Sequence, residues 1–171
     1  MDVEGHNPET LEPRDPSVTD LLNLCRALNA LQARYIVVGG FAMRVAGYDR
    51  HTMDVDLLMD CSAENEARVF KALESLSDKA VLQLDAGDVA RYTVVRVADE
   101  IVVDLMKSAC GVEYEEASRE IEWREVEGVR IPFASPRLLW RMKKPTNRAK
   151  DAPDILFLRH YFAQRGESPP A

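Results

Sequence analysis

The sequence predicts a single α/β domain whose mixed β-sheet is flanked by helices. Three observations carry the prediction. Helix-period and strand-period apolar patterns alternate through the first half of the chain. Two adjacent hairpin patterns in the second half argue against a purely parallel, doubly wound sheet. The 171 residues, 46% of them hydrophobic, are enough for one buried core.

The elements follow in order. Pro16 and Ser17 open a helix in which Val18, Leu21, Leu22, Cys25, Leu28 and Leu31 recur at helical spacing, ending near Arg34. "YIVV" (35–38) reads as a short buried strand. Gly39 and Gly40 turn the chain into a short helix, "FAMRVAG", that Gly47 stops. "MDVDLLM" (53–59) is a strand with Met53, Val55, Leu57 and Met59 on one face and Asp54, Asp56 and Leu58 on the other. "SAENEARVFKALESLSDK" has a serine N-cap and glutamate in its first turn, so it is a helix. Strands at about 91–97 and 101–106 are joined by "ADE", and "VEYEEASRE" reads as a helix. "IEWREV-EG-VRIPFA" reads as a hairpin. Ser135-Pro136 starts a further helix, and the last helix runs from about Asn147 to Phe162. The expected organisation is a disordered lead-in over 1–16, one domain over 17–163 and a frayed tail over 164–171.

Composition narrows the function. No apolar run approaches the roughly 20 residues of a membrane span. The acidic, proline-bearing N-terminus lacks the pattern of a signal peptide. Three widely spaced cysteines without C-x-x-C argue against a disulfide framework or a zinc site and fit a reducing cytoplasm. With only three scattered histidines, metal chemistry would use oxygen ligands, suiting Mg²⁺ or Mn²⁺. The net charge of −7 discourages general duplex binding. One segment differs: residues 137–150 hold Arg137, Arg141, Lys143, Lys144, Arg148 and Lys150 without an acid, a stretch able to face a polyanion.

The chemistry-bearing residues cluster. Asp54 and Asp56, two apart on a strand, point the same way and can converge on one metal or a metal pair. Among 14 aspartates about one D-x-D arises by chance, so the motif alone does not separate a metal site from a solvated sheet face. Asp104 adds weight as the only charge between Ile101 and Met106, a third carboxylate from a neighbouring strand. Gly39-Gly40 at a strand-to-helix junction offers close backbone approach to a phosphate, or simply a tight turn. Phosphate beside metal-bound carboxylates is the apparatus of phosphoryl or nucleotidyl transfer. Thr52 either bonds a phosphate or orients Asp54. His51 and Arg44 read as surface residues, and Trp123 and Trp140 as core anchors.

The stretch "VVGGFAMRVAGYDRHTMDVDLLMD" resembles the signature of DNA polymerase β-like nucleotidyltransferases, most of all the minimal bacterial branch of AbiEii-type and MenT-like toxins. Arg50, Thr52, Asp54 and Asp56 match the R-x-T-x-D-x-D of that branch. "SPRLLWRMKKPTNRAKDAPDILFL" is similar to its later motifs, with Lys143 or Lys144 as the family lysine and Arg148, Lys150, Asp151 and Asp154 filling the R-x-K-D-x-x-D pattern. The resemblance implies a nucleotidyltransferase fold, with Asp54, Asp56 and Asp104 as catalytic, metal-binding carboxylates for Mg²⁺ or Mn²⁺. It implies that Gly39, Gly40, Arg50, Thr52, Lys143, Arg148, Lys150 and Asp151 bind the nucleotide. Asp151 reads equally as a helix-start acid. The implied reaction moves an NMP from an NTP, ATP included, to an acceptor hydroxyl. The implied partners are the NTP, an RNA or tRNA end and an antitoxin protein. A small-molecule or protein acceptor, or a non-catalytic nucleotide-binding module, are the other readings.

Overall fold

The computed structural model describes residues 12–171; the first eleven residues of the expected lead-in lie outside them. The chain adopts the predicted class. A six-stranded mixed sheet runs in the order β3-β4-β2-β1-β8-β7, with β1 Tyr35–Val38, β2 Asp54–Met59, β3 Val94–Ala98, β4 Val102–Met106, β7 Ile121–Val126 and β8 Val129–Ala134. β1 pairs antiparallel with β2 and parallel with β8, and β2 pairs parallel with β4. The hairpins β3–β4 and β7–β8 close the two edges.

Helices α1 (Val18–Ala30), α2 (Gly39–Val45), α3 (Ala63–Leu73), α6 (Pro136–Lys143) and α7 (Ala152–Gln164) surround the sheet. α1 packs on α3 and β8, while α2 packs on β1, β2 and α6, and α6 on α7. Local chemistry explains the starts. Ser17 and Asp20 form a capping box on α1, Ser62 caps α3, and Ser135 caps α6 ahead of Pro136. Leu22, Leu28, Ile36, Leu57, Leu58, Phe133 and Phe162 are fully buried between the layers. Each such side chain contributes about 1.5–3 kcal/mol of burial.

Several boundaries differ from the sequence reading. α1 stops at Ala30, short of Arg34, because Gln32 takes a left-handed backbone (φ 57°). The strand expected from 91 begins at Val94; residues Asp88–Tyr92 form a one-turn helix, α4, anchored by buried Val89 and ended by Thr93 at φ 68°. A two-strand ribbon, β5 (Ser108–Ala109) and β6 (Val112–Glu113), precedes a short α5 (Tyr114–Ala117). The last helix starts at Ala152, five residues later than expected. Pro145 and left-handed Asn147 break the chain into two 3₁₀ turns, and Pro153 belongs to the first turn of α7. Trp140 is buried as expected, but Trp123 is half exposed on β7 under the Arg130 guanidinium, because its strand is an edge with a solvated face. No helix among the described residues is long and apolar enough to cross a membrane.

Asn65 ties three elements together. Its Oδ1 accepts from the Arg34 amide (2.7 Å), and its Nδ2 donates to the carbonyls of Arg34 (3.0 Å) and Asp60 (2.7 Å). These bonds pin the entrance of β1 and the exit of β2 to the first turn of α3. Asn65→Ala leaves the Arg34 amide and the Asp60 carbonyl without these partners in a part-buried setting, while the Arg34 carbonyl keeps the Asp60 amide. The expected loss is roughly 2–4 kcal/mol of unfolding free energy, measured by urea denaturation.

Candidate active site

The sheet register assembles an acidic cluster. Asp56 on β2 sits opposite Asp104 on parallel β4, and Asp104 sits opposite Arg96 on antiparallel β3. Asp54 lies two residues before Asp56 on the same face. The three carboxylates each offer an oxygen within 4.8 Å of the others. Asp104 is buried, while Asp54 and Asp56 are partly exposed on the wall of an open cleft of about 810 Å³. They are therefore neither a solvated sheet face nor part of the core.

The charges strain one another. Burial, followed by the negative charges of Asp54 and Asp104, pushes the Asp56 carboxyl up to about 8. Burial and the Asp104 charge also raise Asp54 above the ordinary carboxylate range. Hard oxygen donors, convergent and short of positive charge, fit Mg²⁺ or Mn²⁺. That donor set is the structural ground for a metal here.

The glycine pair serves the carboxylates. Gly39 is left-handed (φ +65°), and a Cβ there would lie 2.0 Å from Asp56 Oδ2. A Cβ on Gly40 would lie 2.4 Å from the Thr52 hydroxyl. The pair thus clears space for Asp56 and Thr52 at the start of α2, whose N-terminus carries no side-chain cap. Thr52 is buried and donates to the Asp54 carbonyl (3.0 Å), which holds the strand start in place.

Cations line the same cleft. Lys143, nearly buried at the end of α6, contacts Asp154 (2.9 Å) and Asp151 (3.7 Å); Lys144 is exposed, so Lys143 is the lysine that faces the cleft. Arg50 donates from Nη2 to Asp154 Oδ2 (3.0 Å), and its Nε lies 2.9 Å from Oδ1 outside hydrogen-bonding geometry. Arg148 donates to Asp151 (2.7 Å), as does the Thr146 hydroxyl (2.6 Å). Burial disfavours charge on Asp151, but the Thr146 and Arg148 hydrogen bonds and the Lys143 charge outweigh it and hold its carboxyl below the ordinary range. Asp151 thus stands at the N-cap of α7, as a helix-start acid would, and is buried beneath the cations. Lys150 is exposed on the same cleft. All eleven residues singled out in the sequence therefore border one cavity.

Two site residues had no assigned role in the sequence. Asp154 is buried and holds both Arg50 and Lys143, making it the hub of the cation wall. Its signal was its place as the last acid of the R-x-K-D-x-x-D pattern. Arg96 caps the acidic cluster. It donates to both Asp104 oxygens (3.0 and 3.1 Å) and reaches Asp54 at 3.4 Å. The hairpin is centred on Glu100 and pairs Arg96 with Asp104, one residue later than the turn expected at 98–100, which is why the pair was not legible in the sequence.

The basic segment 137–150 needs correction. Arg141 is bound to Glu116 and Glu120, Lys143 to Asp151 and Asp154, and Arg148 to Asp151. The acids for these three come from other parts of the fold, while Arg137, Lys144 and Lys150 are exposed and have no ion-pair partner among the described residues, so only half of the run remains an open cationic face. His51 is exposed and paired with Asp15, and Arg44 is exposed over the Phe41 ring, as expected of surface residues.

No protein-family model matches the sequence, and no curated protein is similar to it at the sequence level. Solved structures with a similar arrangement include a provisionally named nucleotidyltransferase from Thermotoga maritima (14% identity, TM-score 0.49, covering 88% of this chain and 98% of that one). Another is an antigenic nucleotidyltransferase-like protein from Paracoccidioides brasiliensis (17%, 0.48, 84% and 74%). A third is the antibiotic-resistance factor ANT(2″)-Ia (14%, 0.43, 86% and 94%). A likeness at this level concerns overall arrangement and carries no substrate or activity to this chain.

Because folding raises the Asp56 carboxyl from 3.8 to about 8, its contribution to stability is present at acidic pH and lost as pH climbs through that window. Asp56→Asn removes the penalty. With EDTA present it should raise Tm by several degrees at pH 8, at about 2–4 °C per kcal/mol for a chain of this size. The gain should vanish near pH 4. Saturating Mg²⁺ should raise the Tm of the wild type and leave that of the variant unchanged. Thermal unfolding followed by circular dichroism checks all three outcomes.

Proposed function

We propose that the protein is a metal-dependent nucleotidyltransferase that moves an NMP from an NTP to an acceptor hydroxyl and releases pyrophosphate. The observation that carries this reading is the pairing, in one cleft, of three convergent carboxylates with a wall of lysine and arginine. A cleft of about 810 Å³ lies within the size range of small-molecule sites, about 300–1,000 Å³.

Asp54, Asp56 and Asp104 would hold Mg²⁺ or Mn²⁺, which when bound neutralises phosphate charge and eases ionisation of a hydroxyl. Lys143, Arg50 and Arg148 would meet the triphosphate, with Lys150 at the rim. Their own acids, Asp151 and Asp154, leave one net positive charge among five groups and keep the cations in place before the nucleotide arrives. Gly39 and Gly40 would let the phosphates approach the start of α2. Asp104 would orient the attacking hydroxyl. The hydroxyl oxygen forms a bond to the α-phosphorus as the bond from that phosphorus to the β-phosphate oxygen breaks, the hydroxyl proton leaves to water, and the cations stabilise the charge that gathers on the leaving pyrophosphate.

For the acceptor we favour an RNA 3′ end such as that of tRNA, met at the rim by exposed Lys150, in a cytoplasmic toxin held by an antitoxin. A second reading, transfer to a small molecule such as an amine-rich antibiotic or to a protein side chain, is favoured by the partial internal neutralisation of segment 137–150.

The test incubates the protein with each α-³²P-NTP, Mg²⁺ or Mn²⁺, and total RNA or aminoglycosides. Label transfer is expected, lost in Asp56→Ala. Lys143→Ala should lower kcat/KM about 10²–10³-fold, the usual scale for one charge-stabilising donor. Label on RNA supports the first acceptor, and label on a drug or on protein supports the second. Absence of transfer together with absence of Mg²⁺-dependent NTP binding would overturn the enzyme reading in favour of a non-catalytic module.

A further inference from the structure

We propose that Arg96 is a displaceable counter-ion: its guanidinium holds the place of a divalent cation in the metal-free protein and must withdraw for that cation to bind. The inference rests on the reading of the acidic cluster as a metal site.

Among the described residues, Arg96 is the sole cation within ion-pair distance of Asp54 or Asp104, and Asp56 has none. An ordinary cross-strand pair joins one base to one acid. Arg96 instead extends from β3 past its partner on β4 and touches Asp54 on β2, straddling the gap that the three carboxylates define. Both oxygens of Asp104 accept from it, at 3.0 and 3.1 Å. A Mg²⁺ ligand oxygen must come within about 2.0–2.1 Å of the ion. A divalent ion held by Asp104 and Asp54 would lie beside the guanidinium that already binds both acids, and the repulsion between the two positive charges drives Arg96 outward.

Withdrawal is easy. The Arg96 side chain is 64% exposed, β3 is an edge strand, and the neighbouring Val94 and Ala98 on its face are also exposed. Rotation of a long, solvated side chain suffices, with no change in the sheet. The cost of breaking a two-acid fork nonetheless falls on the metal, which must bind against it. Once withdrawn, Arg96 stands at the cleft lip as a free cation next to an arriving phosphate. The device therefore disfavours the metal alone and favours metal together with nucleotide.

The test is Mn²⁺ binding to the full chain by calorimetry with no nucleotide present. Arg96→Gln should bind Mn²⁺ about tenfold more tightly than the wild type. Arg96→Lys, whose ammonium lacks the planar two-nitrogen fork onto Asp104, should shift in the same direction by less, and guards against a folding defect in the glutamine variant. Asp56→Asn should abolish binding. Equal or weaker Mn²⁺ binding by the Arg96 variants, with Asp56→Asn still abolishing it, overturns the counter-ion role and leaves the metal site standing. Failure of every form to bind overturns both.

Discussion

Three carboxylates within 4.8 Å of one another are the constraint around which the rest of the molecule is arranged. At that separation and an effective dielectric of about 20, two full charges repel by about 3–4 kcal/mol. A domain stable by only about 5–15 kcal/mol does not absorb three such terms without compensation. The compensation takes several forms. Asp56 is held toward its neutral form, Arg96 screens Asp54 and Asp104, and Lys143 contributes positive charge from within the same cleft. The glycine pair removes the side chains that would push Asp56 and Thr52 out of place.

The sheet topology supplies the convergence. β2 is central, so its two neighbours carry what its acidic end needs. Antiparallel β1 delivers Val38 opposite Asp56 and then Gly39 beside its carboxylate, and parallel β4 delivers Asp104. A one-residue slip of either pairing would turn an acid into the apolar interior. The buried run Val55, Leu57, Leu58 and Met59 makes such a slip costly, and Asn65 fastens the far end of the same strands. Core packing and site geometry are thus two results of one register.

Much of this was legible in the sequence. The β2 alternation, the isolated Asp104 and the glycine pair located the acidic side, because strand periodicity and a lone charge in an apolar run are local signals. The choice between Lys143 and Lys144 was not legible. It depends on where α6 stops, and that is set by Pro145 and Asn147 together with acids donated by α7. The basic run 137–150 misled for a related reason. Its neutralising partners Glu116, Glu120, Asp151 and Asp154 lie outside the run, and a charge count along the chain cannot see them. Trp123 misled because burial was assigned by residue type, whereas an edge strand leaves one face in water. The one-turn α4 and the two-residue strands β5 and β6 are too short to have a period at all.

Asp154 has a further consequence, which concerns the order in which the protein is made. The carboxylate side is complete in the chain by Asp104, but the partner of Arg50 on α7, Asp154, lies 104 residues beyond Arg50 itself. A nascent or truncated chain ending before α7 would carry all three cluster acids with Arg50 and Lys143 unanchored. The cation side of the cleft is thereby assembled only once the C-terminal helix has docked, whereas the acidic side is fixed by strands that precede it.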